Sequence, residues 1–451
     1  MAGRAAVSHT ESMAVDMVGA ERRRVVVAVS AGNFMEGYDL ALYGYFAAYL
    51  AGQFLPPGDP TAALLSTFAI YALGLAVRPV GGVLFGHVGD RIGRRPALII
   101  AMVMMAVATV GVGLLPTYHA AGLLAPLLLL ICRLLQGLSI AGELVGANIL
   151  ILEYARAHGP GRSVAVNQLA GSLGVATAAT SGLLLAQTLG KGELTAWGWR
   201  LPFLAAGLFA AVILYLRLRI PDSPVFRSPD LHRERFPLGT ALRTARRGIV
   251  VYAAWTALVA LGGYLLFGFM PTYLARFIGL SPTGTFGANL VSVLTLGAGA
   301  MLGGYLVDRY SARMVALVSA VGVAVTVLPG FLLITQGTVP AAIAGQVVWA
   351  LFLSMGSTVG AVLSLSQFPA AVRYAGTGFA YNIAYALFGG TAPYVSTWLV
   401  TGTGSLLAPA FYLAFVARAA GLPAALFGLA PAGRRELPLG GTGFPPTVKN
   451  P

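Results

Sequence analysis

The chain has 451 residues, of which 57% are hydrophobic and 10% charged, with a mean hydropathy of +0.79. A soluble domain carries roughly 25% charged residues, so this chain lacks the charge to coat a globule of its size, and lipid is the solvent that remains. The net charge of +14 would suggest nucleic acid in a soluble protein, but the arginines sit in short runs between apolar segments, as topology signals do.

Residues 1–20 are mixed polar and small, without the pattern of a cleavable signal. The first apolar segment follows Glu21-Arg22-Arg23-Arg24 and is long enough to span, so it is expected to be retained. Twelve spans are predicted, each needing about 20 apolar residues. The first runs over 25–50, and Pro56-Pro57-Gly58-Asp59-Pro60 makes the loop after it. The second covers 62–87, the third 97–115 and the fourth 123–152; the fifth starts near Arg162 and the sixth near Trp199. Trp197 and Trp199 read as interfacial anchors. A polar, arginine-rich stretch follows to about Arg247. Six further segments lie near 249–275, 285–307, 313–335, 340–367, 373–399 and 405–428, and the Gly- and Pro-rich tail reads as disordered.

The turns at 90–95, 156–162, 217–247, 308–313 and 373 are basic. Those near 51–61, 116–122, 279–284, 336–339 and 401–404 hold no Lys or Arg, although Lys191, Arg200 and Arg276 border that side. The alternation predicts an even number of spans in a cell (inner) membrane, with both termini and the central loop cytoplasmic. The expected divisions are a tail 1–24, a bundle 25–216, a central loop 217–248, a second bundle 249–428 and a tail 429–451. Gly86-His87-Val88-Gly89-Asp90-Arg91 recurs as Gly304-Tyr305-Leu306-Val307-Asp308-Arg309, half a chain later. Duplicated halves are a transporter architecture, with the solute site between them near the midplane.

Gly86-x-x-x-Asp90-Arg91-x-Gly93-Arg94-Arg95 resembles the loop signature of the major facilitator superfamily. Its glycines allow helices to approach closely. Its Asp and Arg suit a cytoplasmic gate that pairs in one conformation and parts in another; a plain basic turn is the alternative. Asp308 and Arg309 form a second, degenerate copy, with Ser311 and Ala312 in place of Gly and Arg. Within the superfamily the chain resembles the metabolite:proton symporter family nearly end to end. The resemblance rests on Gly32-Asn33-Phe34-Met35-Glu36-Gly37-Tyr38-Asp39, Arg78-Pro79-Val80-Gly81-Gly82, Arg133-Leu134-Leu135-Gln136-Gly137-Leu138-Ser139 with Gly142-Glu143, Trp197-Gly198-Trp199-Arg200-Leu201-Pro202-Phe203, Ser223-Pro224-Val225-Phe226 and Tyr381-Asn382-Ile383-Ala384-Tyr385. It implies an all-α membrane protein of two six-helix bundles, the major facilitator fold. It also implies proton-coupled import of solutes such as proline, betaines or small carboxylates. Gly37 and Leu40 stand where the family has aromatic residues, which predicts a wider pocket.

An ionisable group in hydrocarbon persists mostly when it is paired or faces a water-filled cavity. From Gly248 to Pro431 the sole acidic residue is Asp308, so proton handling is expected in the first half. Glu36 and Asp39 share a helix face and lie roughly 16–21 Å along the first span at 1.5 Å per residue. Arg133 lies at similar depth in the fourth span, and Arg78 lies nearby in the second. Burial favours a neutral carboxyl and a nearby arginine favours a charged one, so a separable Asp–Arg pair can load and release a proton. Asp39 is the candidate coupling group, Arg133 its partner, and Glu36 a second carrier or substrate contact; a permanent structural pair would use the same residues. Arg78 suits a substrate carboxylate, or else it neutralises Glu36 or Glu143 or braces the gate. Tyr38, Tyr43, Gln136, Asn382 and Tyr385 are polar handles for substrate, or helix–helix hydrogen bonds. Gly389-Gly390 and Pro393 predict a hinge.

No nucleophile–base set, phosphate loop or metal-ligand spacing is present, and one cysteine, Cys132, forms no disulfide framework. The chain therefore reads as a symporter rather than an enzyme. Its partners are a small-molecule substrate, a proton and the lipid bilayer, with no nucleic acid, obligatory protein partner, metal or cofactor. A proton-driven exporter is the alternative, and a transporter-like sensor is a further one.

Overall fold

The computed structural model describes residues 2–92, 94–141, 147, 151, 160–218, 237–368 and 372–428. Among these, twelve long helical passages, a few short helical segments and no strand occur. The first six are α1 (Ala2–Phe54), α2 (Pro60–Ala76, resumed as Arg78–Ile92), α3 (Arg94–Leu114), α4 (Leu124–Ile140), α5 (Pro160–Thr188) and α6 (Arg200–Leu218). After the short helix Pro237–Thr244 come α7 (Arg246–Tyr264, running on to Phe277), α8 (Pro282–Arg309) and α9 (Ala312–Ile334). The last three are α10 (Val339–Gln367), α11 (Arg373–Ala384, running on to Thr403) and α12 (Ala408–Val416, running on to Gly428). Nine described helices are long and apolar enough to cross a membrane, and Leu124–Ile140 is a shorter apolar one.

The helices differ from expectation at several ends. Helix α1 continues back to Ala2, since residues 2–24 contain no proline and several strong helix formers. The polar stretch 219–236, Glu143, Glu153 and the tail 429–451 lie outside the described residues. Gly93 does too; Gly86, Asp90, Arg91, Arg94 and Arg95 lie on helical backbone whose side chains fall outside the description.

Turn chemistry separates two faces. The face opposite the basic turns, called here the far face, starts α2, α8 and α10 with side-chain caps. Asp59 accepts from Thr61 N, Ser281 from Gly284 N and Thr338 from Ala341 N, each with a proline in the first turn. The described glycines with positive φ, Gly122, Gly279, Gly337 and Gly404, also fall on this face. On the basic face, Ser311 caps α9 through Met314 N.

Helices α1 to α6 pack among themselves, as do α7 to α12. The two groups meet where α5 lies on α8, α2 on α11 and α1 on α7, a symmetric set of pairs consistent with the internal repeat. Close crossings rest on missing side chains. A Cβ on Gly137 would overlap the Gly74 carbonyl oxygen of α2, and one on Gly161 would lie 2.5 Å from the Gly304 carbonyl oxygen across the seam.

Two readings are corrected here. Gly37 does not widen a pocket: a Cβ there would overlap the Gly171 carbonyl oxygen, so Gly37 is the notch where α5 crosses α1. Leu40 is buried among apolar side chains. Trp199 is no interfacial anchor, because it is fully buried, edge-on to Phe54 at 5.5 Å and Phe203 at 6.2 Å. Trp197 is the exposed one.

Candidate functional site

Helix α1 presents Glu36 and Asp39 one turn apart, and both are buried. Helix α4 brings Arg133 to Asp39 because Gly74 and Gly137 let α2 and α4 nearly touch at that level. Arg133 Nη1 lies 4.0 Å from Asp39 Oδ2, a long ion pair. The closer connection runs through Gln136. Arg133 Nη1 donates to Gln136 Oε1 at 2.7 Å, and Gln136 Nε2 donates to Asp39 Oδ1. The Thr109 hydroxyl of α3 also bonds Asp39 Oδ1 and lies 3.0 Å from Gln136 Nε2. The guanidinium carbon sits 4.4 Å from the Tyr43 ring centre and 4.8 Å from that of Tyr71, two rings stacked 5.2 Å apart. Cation–π contact thus replaces part of the hydration the arginine gives up.

A second buried pair lies beside the first. Helix α2 is interrupted at Val77, where Pro79 supplies no N–H to the helical ladder, and resumes at Arg78. Arg78 Nη2 lies 3.0 Å from Glu36 Oε1. The guanidinium also reaches across the seam: its carbon is 5.2 Å from the Tyr385 ring centre and 5.9 Å from that of Tyr381. Its Nε and Nη1 have no hydrogen-bond partner among the described residues. A buried guanidinium with unused donors is suited to an anion.

The two pairs are joined by an aromatic path. Tyr71 lies 5.9 Å from Tyr264, Tyr264 lies 5.8 Å from Tyr385, and Tyr385 stacks on Tyr381 at 4.2 Å. Tyr381 and Tyr385 border a cavity of about 30 Å³ whose other walls include Gln168, Tyr252, Trp255 and Thr256. Ligand clefts hold roughly 300–1,000 Å³, so the walls stand close together in this conformation.

The structure sorts the expected residues. Tyr385 lines the cavity and Arg78 lies behind it, against the Tyr385 ring, whereas Gln136 and Tyr43 belong to the Asp39–Arg133 group. Asn382 is buried on α11, its Nδ2 on Gly378 O, and a Cβ on Gly82 would lie 3.4 Å from that nitrogen. Tyr38 stands apart, with its hydroxyl on Pro202 O at 2.7 Å and its ring against Phe209. Sequence reasoning passed over Thr109, Tyr71, Tyr264, Tyr381 and Trp255. It also passed over Asn289, whose Oδ1 accepts from Tyr45 Oη at 2.5 Å across the seam and whose Nδ2 donates to Leu266 O and Gln346 Oε1. At the basic face Asp308 accepts from Gly161 N at 2.7 Å and Arg162 N at 3.0 Å, the first turn of α5; Arg309 is exposed.

Two facing helix bundles with paired charges buried beside their seam form a polytopic fold of the kind secondary transporters are built on. Residues 25–236 match the family model for sugar (and other) transporters. A putative proline/betaine transporter of Staphylococcus haemolyticus is 32% identical, over 88% of this chain and 86% of its own. The proline/betaine transporter of Escherichia coli K12 is 30% identical, over 88% and 81% respectively. Among solved structures, the proton:xylose symporter XylE bound to 6-bromo-6-deoxy-D-glucose superposes with a TM-score of 0.75 at 19% identity, covering 91% of this chain and 95% of that one. The chain belongs to the metabolite:proton symporter family of the major facilitator superfamily.

Proposed function

We propose that this protein imports a small zwitterion of the proline or betaine type together with a proton, by alternating access in a cell membrane. The carrying observation is Arg78: a buried guanidinium with two donors unused among the described residues, roofed by tyrosines that also wall the seam cavity. A zwitterion presents a carboxylate close to a cationic nitrogen. The carboxylate suits Arg78, in competition with Glu36, and the nitrogen suits the faces of Tyr252, Trp255, Tyr381 and Tyr385. The names of the relatives support the same class. A simple carboxylate would use Arg78 and leave the aromatic wall without a cationic partner.

Asp39 is the proton carrier in this reading. Protonation removes its attraction for Arg133 and frees Gln136 and Thr109 to rearrange; deprotonation restores the pair. Glu36, displaced from Arg78 by substrate, is the second group able to take a proton. Residues 25–216 and 249–428 act as the two moving bundles, and the basic face, with both tails and the loop 217–248, is cytoplasmic. The gate at that face comprises residues 86–95, where α2 gives way to α3, and Asp308, whose carboxylate caps the N-terminus of α5, where an anion is favoured.

Uptake of labelled proline, betaine, 2-oxoglutarate, citrate and shikimate into proteoliposomes tests this directly. Proline or betaine is expected to accumulate when the lumen is alkaline and only to equilibrate without a gradient. Gradient-indifferent uptake would exclude symport, and gradient-driven extrusion would favour an exporter. Asp39→Asn is expected to abolish accumulation while retaining exchange of preloaded substrate; full accumulation by this variant would remove Asp39 from the role.

A further inference from the structure

Two arginines, Arg200 and Arg276, border the far face, where the turns otherwise hold a single lysine, Lys191. Arg200 stays within its own bundle. Its Nη1 donates to Gly113 O and Leu115 O at 2.8 Å, and its guanidinium carbon lies 4.5 Å from the Trp199 ring centre. Arg276 crosses the seam. Its Nη1 donates to Pro60 O at 2.9 Å and its Nη2 to Thr61 Oγ1 at 2.7 Å, both in the first turn of α2. Two donors in a rigid fork engaging two fixed acceptors is a geometry particular to guanidinium.

Arg276 sits at the tip of an irregular arm. Beyond Tyr264, α7 leaves regular helical bonding twice, in the wide turns Leu265–Phe269 and Tyr273–Phe277, with Pro271 between them. Such turns and prolines are where helices bend. The arm lies directly on α1, since a Cβ on Gly44 would sit 2.5 Å from Phe267 O. The Asp308 contact at the basic face has the same logic. There too a charged side chain of the second bundle grips the first turn of a helix in the first bundle, and neither grip includes Asp39 or Arg133.

We propose that Arg276 is a positioning residue of the transport cycle: the latch that holds the α7 arm on α2 and keeps the far face shut while the other face exchanges solute. The proposal rests on the alternating-access reading above. It assigns the far-face closure to one guanidinium and its two acceptors on α2.

Spin labels at Gly58→Cys and Gly402→Cys, in a Cys132→Ser background, report the opening of this face. An added side chain meets open space at both positions, and Cys132 is the single native cysteine. In lipid nanodiscs without substrate, Arg276→Gln is expected to raise the ratio of long-distance to short-distance populations about fivefold, as about 1 kcal/mol would. Thr61→Val, which removes one acceptor with less risk to folding, is expected to shift it in the same direction by less. Arg200→Gln is expected to leave the distribution in place. Unchanged distances in both Arg276→Gln and Thr61→Val, or an equal shift in Arg200→Gln, would overturn the latch. The readout is a distance and not uptake, so a wrong substrate or coupling group would leave it standing.

Discussion

A guanidinium deep in a membrane protein needs several partners at once, and Arg78 and Arg133 each have carboxylate and aromatic contacts together. Arg133 combines a 4.0 Å ion pair, Gln136 and two stacked rings; Arg78 combines Glu36 with Tyr381 and Tyr385. Lysine keeps the charge but loses the planar fork and the flat face that lies against rings. Arg78→Lys is therefore expected to raise the KM for uptake about tenfold, equivalent to about 1.4 kcal/mol, measured from initial rates in proteoliposomes. Counting residues along the spans was enough to place Glu36, Asp39, Arg78 and Arg133 at one level, because depth in a helix is arithmetic. The roles of Gln136 and Thr109 were not legible in the same way. Uncharged polar residues recur throughout such helices, and which of them meets Asp39 depends on how α3 and α4 are rotated. Tyr38 shows the converse: about 100° around the helix from Asp39, it faces α6 and not the seam.

At the scale of helices, glycine decides how closely elements approach. Gly37 and Gly52 lie on the same helix with opposite surroundings: Gly37 is pressed against the Gly171 carbonyl, while nothing lies within 4 Å of where a Gly52 Cβ would be. Gly37→Ala is expected to cost about 1–3 kcal/mol by overpacking and to lower the melting temperature in detergent. Gly52→Ala is expected to be neutral or to stabilise by about 0.4–1 kcal/mol. The number of helices and most of their ends were legible, because apolar runs of spanning length are hard to hide. The interruption of α11 at Tyr385–Gly390 was signalled by Gly389-Gly390 and Pro393. The two wide turns of α7 were missed, because Gly268 and Pro271 are ordinary membrane-helix residues until neighbouring helices use the bend. Gly37 was misread as pocket space because a missing side chain in sequence does not say which neighbour fills the gap.

The two halves of the molecule share a fold but divide the charge unequally. The recurrence of Gly86–Arg91 as Gly304–Arg309 announced the duplication, and the absence of acids from residues 249–428 other than Asp308 announced the division. The contacts across the seam, from Tyr45–Asn289 to Arg276–Thr61, depend on how the halves dock and left no local trace. The division has an electrical consequence. Among the described mid-span residues, two carboxylates offset two guanidiniums, so these four groups move no net charge when the empty carrier reorients. Loaded with one proton and a zwitterion it carries +1, and with one proton and a monoanion it carries none. A membrane potential contributes about 2.3 kcal/mol per elementary charge per 100 mV. An inside-negative potassium diffusion potential, with no pH difference, is therefore expected to accelerate uptake of a betaine and to leave uptake of a monocarboxylate unchanged. The voltage would act on the loaded half of the cycle alone, so the current recorded across the membrane counts the charge of the passenger and, with it, names its chemical class.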